Sequence, residues 1–501
     1  MLYHDYDHKA EWTEQAHVNP GNRKLDIHNQ QVLEMNKNHY YGVVAAGAIA
    51  IFMVNLDTTV VTIILPELAG LFNETADTIS LVNIAYMLSL TVLLPVFGKL
   101  CDRLGVERVF TPGYLVFSVC SMLCGMADSI YHLILFRVLQ GIGGAMLMAT
   151  SAVVVVKYIP ENRRGSVFGI NGMMAGIGLA IGAPLGGWLY TLLSWKWIFF
   201  INIPFGIAGF VACRKFLNRK QSPLSLKSFD LPGAILLMAA LSSMVILLST
   251  ANIFAGSQVK SGSGMIALAC LAGFAWWENR ASDPLLHFSL LRNRPLFAGL
   301  IANFFYLFIL YGITFVLPFF FKYVRGDNTV TTSHFMMIFP VASMIFMPFA
   351  GRICDWTGTR PPALFGMTLF AIASAMLTTF NMASPTWYII TTFLLLGLAI
   401  AFFCTAILAM IMTHARPETT GMLSSLKAVF PIMGGLLGVT AFADIFSHGI
   451  ERSGVILEHA PAQIVSGSFT WSMYLACAAS ITGLLFTLAA RPDDAFMNRN
   501  K

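Results

Sequence analysis

Two ionisable residues sit where so apolar a chain can least accommodate them. Asp57 lies near the middle of the run Gly42 to Phe72, and Arg137 lies inside a second run at 132–158. An unpaired charge in hydrocarbon is costly, so such a residue faces protein or a water-filled cavity and is read first as functional. A carboxyl whose surroundings change as helices rock can take up a proton on one side of a membrane and release it on the other. Asp57 and Arg137 are therefore read as a proton-coupling pair, with an ion pair that only locks helices as the structural alternative.

The neighbours of these residues divide by helical face. Asn55, Thr58, Thr59 and Thr62 share one face, while Asp57 points roughly the other way with Met53, Val60 and Ile64. Thr58 and Thr62 are candidate cavity residues if that face lines the cavity, and the sequence leaves both orientations open. Around Arg137, the residues Gln140, Gly141, Gly144 and Met148 fall together. Small residues there admit a second helix and leave Arg137 and Gln140 as the long polar groups able to reach it. Lys427 in a later run is either a lysine snorkelling to the surface or a cation that reads an anionic substrate. Glu67, roughly 15 Å beyond Asp57 along a helix, is read as a rim residue.

The elements that carry these residues follow from composition. Of 501 residues 56% are hydrophobic and 11% charged, less than half the roughly 25% charged residues of a soluble domain. Apolar runs of about 18 residues or more, enough to cross roughly 30 Å of hydrocarbon, recur from Tyr41 to Ala490. Fourteen are expected, the first at 42–71, the seventh and eighth at 230–251 and 263–280, and the last at 468–490. The fold class is an all-α polytopic membrane protein.

An even number of crossings puts both termini on one side. Alternate connections carry clusters such as Lys99, Arg103 and Arg108, or Arg214, Lys215, Arg219, Lys220 and Lys227, whereas the others hold only Lys196, Lys260, Lys322, Arg325 and Arg452. Basic loops stay cytoplasmic, so both termini are expected there. The same residues account for the formal charge of +6, and no basic stripe calls for nucleic acid. The eight cysteines lie in spans or at their ends, so no disulfides are expected. The polar segment 1–40 lacks an apolar signal core and reads as a tail; His4, Asp5, Asp7 and His8 match no defined metal site.

An internal repeat divides the chain. "GKLCDRLGVER" (Gly98 to Arg108) and "GRICDWTGTR" (Gly351 to Arg360) share Gly, basic, aliphatic, Cys, Asp and a later Gly in one register. If each follows the second helix of a six-helix half, the domains are a tail at 1–40, a half at 41–217, a two-helix insert at 218–295, a half at 296–490 and a tail at 491–501. Many transporters are built from such repeats, with the substrate between the halves.

With these motifs in place, the sequence resembles the major facilitator superfamily, and within it the fourteen-span drug:proton antiporters, over nearly the whole chain after residue 40. "LDTTVVTIILPEL" is similar to that family's first-helix motif, "GKLCDRLGVER" to the loop after helix two, and "FRVLQGIGGA" to the helix-four motif. "GIGLAIGAPLGGWL" is similar to the helix-five antiporter motif, with Pro184 one place late, and "WKWIFFINIPFG" to the helix-six entry. The resemblance implies export of small amphipathic compounds by alternating access, driven by the proton gradient without a cofactor. It implies a gating loop at Gly98, Asp102, Arg103, Gly105 and Arg108, and an outer seal at Gly178, Gly182, Pro184, Gly186 and Gly187. The implied partners are a small-molecule substrate, protons and the bilayer of a bacterial inner membrane; an envelope adaptor or outer-membrane channel is left open. An exporter of an anionic, siderophore-like carboxylate is the second reading.

Other classes find little support. The chain has no Gly-x-x-x-x-Gly-Lys-Ser/Thr for direct ATP coupling, and no Gly-x-Ser-x-Gly or His-Glu-x-x-His. A membrane enzyme or a non-transporting sensor is the different-class alternative, and no catalytic residues are assigned.

Overall fold

The computed structural model describes residues 37–217, 231–248, 257–281, 292–414, 420–451 and 457–490. The tail residues His4, Asp5, Asp7 and His8 lie outside the described residues. So do the side chains of Asp102 and Arg103 in the gating loop.

Among the described residues every long element is helical. The order is α1 (Lys37–Thr62), α2 (Leu65–Phe72), α3 (Ala76–Leu104), α4 (Val106–Gly125), α5 (Ile130–Tyr158), α6 (Glu161–Leu192), α7 (Trp197–Phe200) and α8 (Asn202–Phe216). There follow α9 (Leu231–Leu248), α10 (Ser257–Glu278), α11 (Arg294–Phe320) with a π turn at Phe321–Arg325, α12 (Thr329–Thr357), α13 (Arg360–Thr378), α14 (Thr386–Met412), α15 (Thr420–Glu451) and α16 (Ala462–Ala489). Twelve of the described helical segments are long and apolar enough to cross a membrane. The hairpin α9–α10 falls short of the fourteen expected spans: the apolar part described in α9 is only Ile235–Leu247.

The expected single span at 42–71 is two helices. Pro66 has no N–H to continue the α1 ladder. Ile64 instead bonds back to Val61 O at 3.2 Å, and the amides of Glu67 and Leu68 both turn to Ile64 O. The proline starts α2 in its first turn, where a missing donor costs nothing. The sixth span is likewise divided, α7 ending just before Ile201 and α8 beginning at Asn202.

Packing repeats between two six-helix sets. In the first set α1 packs on α6 and α8, and α5 packs on α3 and α4; in the second α11 packs on α15 and α16, and α14 packs on α12 and α13. The sets meet through two crossed pairs, α6 with α12 and α3 with α15, and α9 of the hairpin touches α3 and α15 beside the second of these. The repeated glycine has a backbone reason: Gly105 (φ 90°) and Gly358 (φ 80°) each stop the second helix of a set in a conformation that side chains disfavour. Many of the phenylalanines pack with one another inside the second set, for example Phe320 with Phe469 and Phe321 with Phe335.

Candidate functional site

Asp57 and Arg137 meet inside the first set with no exposed surface on either. α1 supplies the carboxylate and α5 the guanidinium; the glycines Gly141 and Gly144 let α5 lie close on α3. A Cβ on Gly141 would stand 2.6 Å from the Tyr86 carbonyl oxygen, so only a bare backbone fits there. Arg137 Nη1 donates to Asp57 Oδ2 at 2.5 Å and to Gln140 Oε1 at 2.7 Å, and Nε donates to Val82 O at 3.2 Å. Asp57 Oδ1 accepts from Gln140 Nε2 at 3.0 Å and from Asn202 Nδ2 at 2.9 Å. The guanidinium carbon lies 4.2 Å from the centroid of the Tyr86 ring, a cation–π position.

Both carboxyl oxygens of Asp57 are thus hydrogen-bonded and the group is paired with Arg137, which is how a buried charge is tolerated. The cluster still holds spare capacity, since among the described residues Arg137 Nη2 and the Tyr86 hydroxyl have no hydrogen-bond partner. A proton on Asp57 would remove the charge that holds Arg137 Nη1. The guanidinium could then settle on Gln140, the Val82 carbonyl and the Tyr86 face without leaving the pocket.

The orientation left open by helical periodicity is decided here. Asp57 faces the neighbouring helices of its own set. Thr59 lies against Gly178 and Gly182 of α6, and Thr62 accepts from Asn83 Nδ2 of α3 at 2.9 Å. Thr58 and Thr62 also donate to their own helix, at Val54 O and Thr58 O. The threonine stripe therefore divides between helix contacts on different sides.

The glycines of α6 form a seam. Cβ atoms on Gly178 and Gly186 would each stand 2.8 Å from a backbone oxygen of α1, at Phe52 and Val60, and Gly182 meets Thr59 and Leu56 between them. Glycines one turn apart on α6 thus abut residues one turn apart on α1. Gly187 turns instead to the second set, where an added Cβ would meet Ser333 Oγ at 2.7 Å and Thr329 O at 3.1 Å. Pro184 lies inside α6. The expected gating loop is mostly helix: Gly98 lies in the last turns of α3, only Gly105 stands between α3 and α4, and Arg108 belongs to α4. An added Cβ on Gly98 would meet nothing within 4 Å, and Arg108 Nη1 donates to Leu104 O at 3.3 Å. Lys157 bonds Glu107 at 2.8 Å beside it. Lys427 is half-buried on α15 near Cys404 of α14, and among the described residues no acid is paired with it.

The two sets touch at the end that carries Gly187 and Thr329. Toward Thr329 they meet at Gly187, and midway an added Cβ on Gly435 of α15 would stand 3.0 Å from Met87 Cε of α3. Toward the end of α3 that carries Gly98, added Cβ atoms on Gly98, Gly169 and Gly172 would meet nothing within 4 Å among the described residues. Sequence reasoning missed Asn202, Tyr86 and Ser121. Asn202 holds both Asp57 and, at 3.0 Å, Ser121 Oγ; its signal was an amide in the otherwise apolar "FINIPFG".

Two crossed helix pairs between repeated six-helix sets constitute a fold that can be compared with others, and the model of the Major Facilitator Superfamily matches residues 47–442. The chain belongs to the Major Facilitator Superfamily. It is 27% identical to the riboflavin transporter RibZ of Clostridioides difficile (strain 630), over 88% of this chain and 95% of the relative. It is 29% identical to the multidrug transporter protein MdtP of Bacillus subtilis (strain 168), over 82% and 75%. It is 30% identical to the tetracenomycin C resistance and export protein of Streptomyces glaucescens, over 78% and 73%. A bacterial homolog of the human lysosomal transporter Spinster, solved inward-facing and unoccupied, shares the fold with a TM-score of 0.65 at 15% identity, over 91% of this chain and 98% of that one.

Proposed function

We propose that this chain is a proton-coupled antiporter that exports small amphipathic compounds by alternating access. The observation that carries the reading is the wholly enclosed Asp57–Arg137 pair, a carboxyl group held by one guanidinium and two side-chain amides in a membrane-spanning bundle. The printed names of two relatives, a multidrug transporter and a resistance and export protein, agree with it. The proton gradient supplies the energy, and no catalytic role is assigned. The test uses purified protein in sealed vesicles carrying a pH-sensitive dye: adding a lipophilic dye cation should drive proton movement against the dye, and substrate movement with no proton signal would sink the reading. A carboxylate siderophore is run alongside, because Lys427, which has no acid paired with it among the described residues, favours the second reading, an anionic substrate.

The proposal includes fourteen crossings in the order six, two and six, with α9–α10 as the insert and both termini cytoplasmic. The basic residues cluster on the connections this topology puts inside. In a cysteine-free background, an impermeant thiol reagent applied to intact cells should label single cysteines at Leu193, Ile253 and Met382. It should leave Trp356 untouched. Protection of Ile253 would remove the two insert helices from the membrane; labelling of Trp356 would invert the second half.

A further inference from the structure

The closed end of the molecule carries a cluster that the coupling pair does not use. Glu67 sits on α2, the short helix set off from α1 by the break at Pro66. Its Oε2 accepts from Lys322 Nζ at 2.9 Å and from Tyr190 OH at 3.1 Å, and its Oε1 accepts from Thr329 Oγ1 at 2.8 Å. The preceding carbonyl, Pro66 O, accepts from Lys322 Nζ at 2.9 Å and from Tyr323 OH at 3.2 Å. Tyr190 belongs to α6 of the first set. Lys322 and Tyr323 lie on the π turn that ends α11, and Thr329 is the first residue of α12, so every other bond crosses between the sets.

We infer that Glu67 and Lys322 form a latch between the two six-helix sets, which holds this end shut and must open in each transport cycle. The inference rests on the alternating-access reading above. Gly187 lies beside the same seam, where an added Cβ would meet Ser333 Oγ and Thr329 O. The wide π turn, entered after Pro318 and left through Gly326 at φ 73°, is what brings two consecutive side chains, Lys322 and Tyr323, onto one carbonyl. The strength of the pair suits a latch. The two side chains are 27% and 21% exposed, so solvent screening limits the ion pair to roughly fivefold in the closed-to-open ratio. A fully buried pair would be much harder to break in every cycle.

A thiol at Ser333, fully buried at this seam, reports opening. The test places Ser333→Cys in a cysteine-free full-length chain in nanodiscs, with no substrate or proton gradient, and measures the rate of maleimide labelling. Glu67→Gln and Lys322→Met should each raise the rate about two- to fivefold, Lys322→Arg should stay near the parent, and the double variant should match the singles. Additive effects, or rates unchanged in both singles, would overturn the latch. Since labelling needs neither substrate nor gradient, its outcome is independent of whether the parent protein moves protons.

Discussion

Asp57→Asn should abolish substrate-driven proton movement in the vesicle assay, and Arg137→Met should do the same. The amide has the carboxylate's shape but cannot replace it here. Asp57 accepts N–H groups from Arg137, Gln140 and Asn202, and an asparagine would turn an NH2 group toward one or more of these donors. Each single variant also leaves one charge buried without its partner, which costs about 3–5 kcal/mol in comparable sites. Loss of transport alone would therefore not separate coupling from folding. The double variant Asp57→Asn with Arg137→Met does, because exchanging a buried pair for neutral groups is often neutral in stability. Its thermal stability in detergent should return to within about 1–2 kcal/mol of the parent while proton coupling stays absent. Proton-coupled export by either Asp57 variant would move the coupling site elsewhere.

Gly172→Leu should reduce export at least tenfold with no loss of thermal stability, whereas Gly178→Leu should lose both. The two glycines lie on one helix and differ in what surrounds them. A Cβ at Gly178 would stand 2.8 Å from the Phe52 carbonyl oxygen and 3.1 Å from the Leu56 amide nitrogen, so α1 and α6 would have to part. Overpacking of this kind costs about 1–3 kcal/mol. Gly172 lies one turn from Gly176, which faces Met344 of α12, yet nothing stands within 4 Å of its own added Cβ. A leucine there fits this conformation and obstructs the closing of that end, which alternating access requires. Export by dye accumulation in cells, read with the melting temperature of each purified variant, distinguishes the cases. Full export by Gly172→Leu would show that the two sets never close at that end.

The helical architecture was legible in the residues alone, as were the two copies of the Gly-to-Gly motif and the buried charges Asp57 and Arg137. These follow from local or nearly local physics. Runs of apolar residues must pair their backbone groups internally in a bilayer, and a shared Gly-to-Gly register reflects two helices stopped by the same positive-φ glycine. The cost of burying Asp57 and Arg137 demanded partners before any were seen. The tertiary structure alone decided which partners. Periodicity says which residues of α1 share a face, but the side that meets α5, α6 or α3 depends on how the helices are arranged around it. Asn202 and Tyr86 therefore entered the site only when α8 and α3 were packed beside α1 and α5. Glu67 illustrates the limit most clearly. The spacing along one helix made it a rim residue, whereas its lysine, 255 positions away, reaches it only because the second set folds back with its π turn over Pro66.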